Sequence, residues 1–84
     1  MKLAIDIGNT STSAGLFDKH DIVKKNHFFS IDEFKSFLDM IRNYNIESTI
    51  ISSVVPELTN AYKDLLMNTY QYPTFIINHK LSNL

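Results

Sequence analysis

The sequence predicts a small α/β domain built on a mixed five-stranded sheet with the strand order 3-2-1-4-5, with helices covering its faces. Two observations support this fold class. Three closely spaced segments near the N-terminus alternate apolar with polar residues, which is typical of an antiparallel meander. Two amphipathic helical segments follow, and each leads into an apolar segment of strand character. Because strands joined through helices are parallel with right-handed crossovers, the order β-β-β-α-β-α-β gives this sheet.

The first three strands are predicted from their alternation. Residues 2–8 (KLAIDIG) form the first strand, because every second residue from Leu3 onward is strongly apolar. Residues 11–17 form a second, weaker strand, and residues 22–29 form a third. The polar turn at residues 18–21 (DKHD) joins the last two and favours antiparallel pairing.

A capping box marks the start of the first helix, in residues 30–33 (SIDE). The Ser30 hydroxyl accepts a hydrogen bond from the N–H of Glu33, and the Glu33 carboxylate accepts one from the N–H of Ser30. Apolar residues then recur at helical spacing and predict an amphipathic helix that ends near Asn43. These apolar residues are Ile31, Phe34, Phe37, Leu38 and Ile41.

The second half of the chain completes the order of elements. Residues 49–55 (TIISSVV) are almost continuously apolar and β-branched, as in a strand buried on both faces. Pro56 ends this strand and precedes a second helix over residues 57–70, since proline is well tolerated in a first helical turn. Pro73 opens a last strand over residues 74–77. This is the ribonuclease H-like arrangement. No helix follows to cover the last strand, so we expect a truncated domain whose uncovered sheet favours self-association.

Composition and charge exclude several classes of function. The 84 residues include eight basic and nine acidic ones, for a net charge of −1, and no basic stripe exists for nucleic acid or an anionic membrane. The chain has no cysteine, which excludes disulfides, zinc–thiolate sites and thiol catalysis and suits a reducing compartment. No apolar stretch approaches the ~20 residues of a membrane-spanning helix. We therefore expect a soluble cytoplasmic protein.

The histidines and tyrosines favour structural roles. The three histidines lack metal-ligand spacing, and we expect His20 and His79 to lie at the surface. The four tyrosines are expected at the edge of the core rather than in a base-stacking platform. They are Tyr44, Tyr62, Tyr70 and Tyr72.

The turn after the first strand carries the chemistry of the sequence, in the segment AIDIGNTSTSAGLFD (residues 4–18). A carboxylate at Asp6 is costly beside core positions unless it is paired, hydrated or near a cation. Gly8 permits a close backbone approach, and Asn9 and Thr10 add amide and hydroxyl donors without bulk. Together they form a plausible cradle for phosphate, with Asp6 holding a hydrated divalent cation.

A purely structural interpretation of this turn stays open on the residues alone. Asp-x-Gly-Asn-Thr is also the composition of an ordinary polar hairpin loop. In that case Asp6 caps the turn through a local hydrogen bond, and Gly8 only permits the geometry. A Walker phosphate loop is excluded, because its G-x-x-x-x-G-K-[ST] pattern is absent.

Two motifs together resemble a known family. The segment AIDIGNTSTSAGLFD resembles the N-terminal motif of type III pantothenate kinases, in which an Asp-x-Gly-Asn-Thr loop is followed by a Gly-x-Phe-Asp strand end. The segment IISSVVPELT (residues 50–59) resembles a Ser-Ser-Val-Val-Pro-x-Leu-Thr segment of the same family, at the same point in the order of elements. The resemblance spans residues 1–77.

The resemblance implies both an activity and a site. Such kinases consist of two ribonuclease H-like domains of the acetate and sugar kinase, heat-shock 70 and actin superfamily, with ATP in the cleft. They transfer the γ-phosphate of ATP to pantothenate in the first step of coenzyme A synthesis. They need Mg²⁺ and a monovalent cation, K⁺ or NH₄⁺, and act as homodimers. By this resemblance Asp6 approaches the metal and the phosphates, and Gly8, Asn9 and Thr10 form the phosphate-binding turn. Residues 1–84 are then a single N-terminal half-domain.

Ser52 and Ser53 are further candidates for the cleft. They lie near the carboxyl end of a strand beside the first strand, where α/β sheets open to ligands. The alternative is that this segment is only structural, with its valines in the core and Pro56 starting a helix. Both interpretations stay open.

The sequence departs from the family in two places. Where the family has an Arg-Ile/Leu-x-Thr pattern in the third strand, this chain reads NHFFSID, with His27 at the place of the arginine. Histidine is a weaker anion ligand than arginine, so the resemblance assigns no role to this segment. The family's general base is an aspartate in a Gly-Ala-Asp-Arg motif after the last strand. No such motif occurs up to Leu84, and we therefore assign no catalytic residue to this chain.

Two other functions stay open. Some relatives of this family are described as accessory factors for transcriptional activation, and the departure at His27 leaves room for such a binding role. A ribonuclease H-like nuclease, with Asp6 holding its catalytic metal, is the third hypothesis. The lack of a basic surface argues against the nuclease.

Overall fold

The computed structural model describes residues 1–78 of the chain, which fold into one mixed sheet with helices. The strand order β3-β2-β1-β4-β5 confirms the predicted order. The elements are β1 (Lys2–Ile7), β2 (Thr12–Asp18), β3 (Asp21–Phe28), α1 (Ile31–Met40), β4 (Ser48–Ser53), α2 (Pro56–Asp64) with a π-helical turn (Leu65–Thr69), and β5 (Thr74–Asn78). The expected truncation after β5 and the surface position of His79 lie outside the described residues.

The pairing of the strands follows the prediction. β1 pairs antiparallel with β2 and parallel with β4, so it lies at the centre of the sheet. β3 pairs antiparallel with β2, and β5 pairs parallel with β4. The turn between β2 and β3 places Lys19 at φ 60°, in the left-handed region, and leaves His20 exposed as expected.

Both helices pack on one face of the sheet. Phe28 of β3 contacts Phe34 and Phe37 of α1 at ring-centroid distances of 5.4 and 5.2 Å, and Phe34 contacts Tyr62 of α2 at 4.8 Å. The face of β1 that carries Leu3 and the other buried strand residues completes this core. Of the predicted cover of helices, residues 1–78 therefore form one layer on one face, and the second face has no helical layer, in line with the expected uncovered sheet.

The fourth strand differs from its prediction for the same reason. Thr49 and Ile51 are fully buried on the helical face, whereas Ile50, on the opposite face, is 36% exposed. The strand is thus buried on one face, and not on both. Its continuous apolar sequence gives the second face an apolar character that no described element covers. Below, the open face means the side of the sheet opposite the helices.

Local bonds adjust the ends of the predicted helices. The Ser30 hydroxyl accepts from the N–H of Glu33 (3.2 Å), as predicted, but the Glu33 carboxylate accepts from the N–H of Phe29 (2.9 Å) and not from that of Ser30. The first helix ends at Met40, three residues before the predicted end. The second begins at Pro56 and becomes π-helical at Leu65. No helix within residues 1–78 is long and apolar enough to cross a membrane.

Candidate functional site

A row of polar side chains crosses the open face at the carboxyl end of β1. Asp6 pairs with Ser13 of β2 on one side and with Ser52 of β4 on the other. Ser13 in turn pairs with His27 of β3. Because paired residues point to the same face of a sheet, the four side chains lie side by side. We call Asp6, Ser13, Ser52 and His27 the Asp6 row.

Three members of the Asp6 row border a cavity on the open face. This cavity has a volume of about 460 Å³ and is lined at its polar end by Asp6, Ser13 and Ser52. Apolar side chains such as Ile50 and Ile77 line most of the remainder, and Lys25 lines it as well. Asp6 is exposed, which removes the desolvation cost expected from its place in an apolar strand. A carboxylate and two hydroxyls thus meet at one end of an open, largely apolar depression.

The loop between β1 and β2 follows directly from the Asp6 row. The N–H of Gly8 donates to the carbonyl of Ser11 (2.9 Å), closing a tight four-residue connection. A Cβ at Gly8 would lie 3.1 Å from that carbonyl oxygen, so the turn needs glycine for close approach and not for a positive φ. Asn9 and Thr10 are exposed at its tip.

A second connection holds the neighbouring strand end against this loop. The N–H of Val54 donates to the carbonyl of Ile7 (3.1 Å), which ties the end of β4 to the end of β1. The Ser53 hydroxyl accepts from the N–H of Val55 (3.0 Å) and donates to its carbonyl (3.1 Å). The Thr59 hydroxyl also donates to the Val55 carbonyl (3.1 Å). Ser53 therefore shapes the entry into α2 and does not line the cavity, whereas Ser52 does.

The donor set fits Mg²⁺ in the way that kinases bind it. Within residues 1–78, no group of three or more histidines or acidic residues could form a cage for a metal. Mg²⁺ is commonly held by one or two carboxylates, with water and substrate phosphates as its other ligands. The exposed Asp6 carboxylate beside the hydroxyls of Ser13 and Ser52 suits that mode of binding.

The two residues with raised pKa values, Tyr70 and Tyr72, lie after the second helix and outside the candidate site. Burial raises the pKa of Tyr70 to about 12, and its hydrogen bond to Asp39 (2.6 Å) acts in the same direction. Burial also raises the pKa of Tyr72, whose ring stacks on that of Tyr70. Tyr62 is buried, and Tyr44 packs against the core edge as these two do, which agrees with the prediction for all four tyrosines.

The sequence predicts Asp6 and Ser52 as site residues, but it predicts neither Ser13 of the Asp6 row nor Lys25, which lines the cavity. Four of the predicted site residues lie together at one end of the open face, namely Asp6, Gly8, Asn9 and Thr10. Ser52 lies beside Asp6 on the neighbouring strand. Lys25 lines the same cavity from β3. The signal for it was its spacing of two residues from His27, which places both on one face of a strand.

Comparisons with known proteins identify a family for this chain. The family model described as type III pantothenate kinase matches residues 2–83. The type III pantothenate kinase of Borrelia garinii subsp. bavariensis is 31% identical over 86 residues, covering 96% of this chain and 33% of the relative. The type III pantothenate kinase of Ehrlichia ruminantium is 31% identical, and the match covers 98% of this chain and 36% of the relative. The type III pantothenate kinase of Borrelia hermsii is 32% identical, and the match covers 98% of this chain and 33% of the relative.

The match extends over nearly the whole chain, although the chain spans only about a third of the length of these curated relatives. It includes both motifs, the Asp-x-Gly-Asn-Thr turn and the segment at residues 50–59. The chain therefore belongs to the type III pantothenate kinase family.

Proposed function

We propose that this chain is the phosphate-binding part of an ATP-dependent pantothenate kinase, which phosphorylates the 4′-hydroxyl of pantothenate in the first step of coenzyme A synthesis. The observation that carries the proposal is the Asp6 row, which lies directly beside the Gly8–Ser11 loop. Family membership supports the reaction. A carboxylate beside a tight glycine loop is suited to phosphoryl transfer, because that chemistry depends mainly on positioning and on charge neutralisation.

Each residue of the site has a role in this proposal. Asp6 holds Mg²⁺ through an oxygen or a bound water, and bound Mg²⁺ supplies neutralisation of phosphate charge. The N–H of Gly8 is already donated to Ser11, so its part is to keep the loop tight. Asn9 and Thr10 offer main-chain and side-chain donors at the tip of the loop. Ser52 lines the cleft beside Asp6. The proposed monovalent cation, K⁺ or NH₄⁺, is not assigned to a described residue.

The proposal extends to the organisation of a longer protein. Residues 1–84 would form the N-terminal ribonuclease H-like half-domain of a protein of the acetate and sugar kinase, heat-shock 70 and actin superfamily. The relatives are about three times as long, and the open face of the sheet leaves room for a further layer. The second domain would supply the general base and the pantothenate site. Such a protein would act as a cytoplasmic homodimer, without nucleic acid or membrane.

Substitution of Asp6 tests the proposed role directly. In the longer protein, we expect Asp6→Asn to lower kcat by about 100-fold or more, because the carboxylate that holds the metal is lost. Asp21→Asn is the matched control, since Asp21 is an exposed carboxylate at the start of β3. Steady-state kinetics with ATP, Mg²⁺ and pantothenate measure both variants. Unchanged turnover in Asp6→Asn would contradict the proposal.

A second experiment concerns the 84-residue chain itself. We expect it to show no ATP-dependent phosphorylation of pantothenate, because the general base is proposed to lie outside it. Turnover by the purified chain would overturn that placement of the base. A longer protein that binds ATP but never consumes it with pantothenate would instead favour the alternative role as a transcriptional accessory factor.

A further inference from the structure

The third strand presents two nitrogen-bearing side chains to the open face. Lys25 pairs with Gly15 and lines the cavity, and His27 pairs with Ser13 at the end of the Asp6 row. Both are exposed. Neither takes part in the ion pairs found within residues 1–78. An ammonium group and an imidazole N–H are therefore available beside the Ser13 hydroxyl.

The space between these side chains and Asp6 lies above Ser13. Strands are about 4.8 Å apart, so β3 runs about 10 Å from β1, with β2 between them. Over Gly15 the space is filled, because a Cβ there would lie 3.0 Å from the ring of Phe17. Over Ser13, one row closer to the Gly8–Ser11 loop, the small hydroxyl side chain leaves room. An anion over Ser13 lies beside His27. The long, flexible side chain of Lys25 can reach the same anion.

The negative charge of Asp6 means that a polyphosphate bound nearby needs a positively charged partner. Asp6 by itself repels a polyphosphate, and a basic residue on the far side of the same space offsets that repulsion. Lysine binds phosphate as a point charge, and a histidine N–H donates to phosphate oxygens. We infer that Lys25 and His27 bind the polyphosphate of the nucleotide over Ser13, on the side opposite Asp6. This inference rests on the proposed function.

Binding of inorganic tripolyphosphate to the isotope-labelled 84-residue chain tests the site without any need for turnover. Backbone amide shifts in NMR spectra report where the anion binds, and their titration gives Kd. We expect shifts at Asn9 and Thr10 of the loop and at Ser13 and His27 of the site. We expect Lys25→Gln and His27→Gln each to raise Kd about three- to fivefold, the effect of one exposed ionic contact.

Lys24 provides the matched control. It is the neighbouring basic residue of β3, but it pairs with the buried Leu16 and so lies toward the helical face. Lys24→Gln changes the net charge as Lys25→Gln does, and we expect it to leave Kd within about 1.5-fold, as for a charge outside the contact. Lys25→Arg keeps the positive charge, so we expect it to bind tripolyphosphate as the parent chain does. The salt dependence of Kd should be weaker in Lys25→Gln than in Lys24→Gln, because Lys25→Gln has lost an ionic contact with the anion.

The outcomes separate this inference from the proposed function. If the loop amides shift but Lys25→Gln and Lys24→Gln bind equally well, the inference is wrong and the phosphate loop stands. If the amides of Asn9 and Thr10 do not respond to tripolyphosphate in the parent chain, the proposed phosphate loop fails and the inference fails with it. Unchanged amide spectra in the absence of anion show that each variant is folded.

Discussion

At the scale of single residues, Gly8 limits what the loop between β1 and β2 tolerates. Its φ is not positive, so alanine meets no strain from the backbone angle. The added Cβ would instead lie 3.1 Å from the Ser11 carbonyl oxygen, which is fixed by its bond to the Gly8 N–H. We expect Gly8→Ala to lower the free energy of unfolding by about 1 kcal/mol, in the usual range for a local steric conflict. Urea denaturation of the 84-residue chain measures the change.

Gly15→Ala is the comparison for this prediction. Its Cβ would lie 3.0 Å from the Phe17 ring, which is the far end of a side chain and can rotate away. We expect a smaller loss of stability than at Gly8, where the obstacle is main chain. An equal loss in both variants, or none at Gly8, would show that the Gly8–Ser11 loop adapts and that glycine is not required there.

Tyr70 predicts a dependence of stability on alkaline pH. Its pKa is raised from 10.0 to about 12, mainly by burial and then by the hydrogen bond to Asp39. The folded state therefore keeps a proton that the unfolded chain releases above pH 10.0, so Tyr70 stabilises the fold below that pH and its contribution falls as the pH rises toward about 12. Denaturation midpoints across that range should fall less steeply in Tyr70→Phe.

Tyr72→Phe serves as the comparison, because burial also raises the pKa of Tyr72 but without a hydrogen bond to Asp39. We expect it to reduce the alkaline loss of stability less than Tyr70→Phe does. A slope that Tyr70→Phe leaves unchanged would contradict the raised pKa of this group in the folded chain.

Single residues also mark the limit of prediction from sequence. Alternation and strand order predict that Asp6 and Ser52 share one face at one end of the sheet, next to Gly8, and the strand register agrees. They do not predict that the Ser53 hydroxyl bonds to Val55, because a serine offers no sequence signal that separates a local bond from a ligand contact. The position of Lys25 at the cavity is not predictable from alternation alone, because it depends on the register of β3 with β2.

At the scale of elements, the Ser30 side chain caps the start of α1. The Ser30 hydroxyl accepts from the Glu33 N–H, one of the helix donors that would otherwise be unpaired. We expect Ser30→Ala to lower the free energy of unfolding by about 1 kcal/mol, the usual cost of a lost cap. Ser36→Ala is the control, because its hydroxyl only donates to the Asp32 carbonyl within the same helix (3.3 Å).

We expect Ser36→Ala to be neutral or slightly stabilising, since alanine is the better helix former and the lost bond competes with the helix. Chemical denaturation followed by circular dichroism compares the two variants. Equal stabilities would mean that Ser30 does not cap the helix in solution and that the bond between Glu33 and Phe29 is sufficient.

The end of the second helix could not have been predicted by its period alone. The sequence predicts one continuous helix to Tyr70, but α2 ends at Asp64 and a π-helical turn follows. The Tyr70 N–H donates to the Leu65 carbonyl, five residues earlier, and the Tyr70 hydroxyl donates to Asp39 of α1. A contact with another helix thus fixes the position of Tyr70. Apolar spacing of three and four residues carries no information about such a contact.

At the scale of the whole molecule, the strand order was predictable and the layering was not. The order 3-2-1-4-5 follows from short connections and right-handed crossovers, which depend only on the sequence of elements. The number of helices on each face depends on tertiary packing. The stretch TIISSVV gave a misleading indication here, because its open-face residue Ile50 is apolar without being covered.

The open face predicts self-association of the 84-residue chain. Phe75 (61% exposed) and Ile77 (50%) continue the apolar surface of Ile50 onto β5. Within residues 1–78, β5 pairs with β4 alone and so forms an edge of the sheet. An apolar face that meets an uncharged edge strand is a site where a second copy can pack or add a strand.

We expect Phe75→Lys to weaken the association about tenfold or more, because it places a charge in that contact. Sedimentation velocity over a concentration series measures it. Phe29→Lys is the matched control, because Phe29 is 76% exposed but follows β3 at the other side of the sheet. If the parent chain stays monomeric at high concentration, or if both variants weaken association equally, the open face is not the contact.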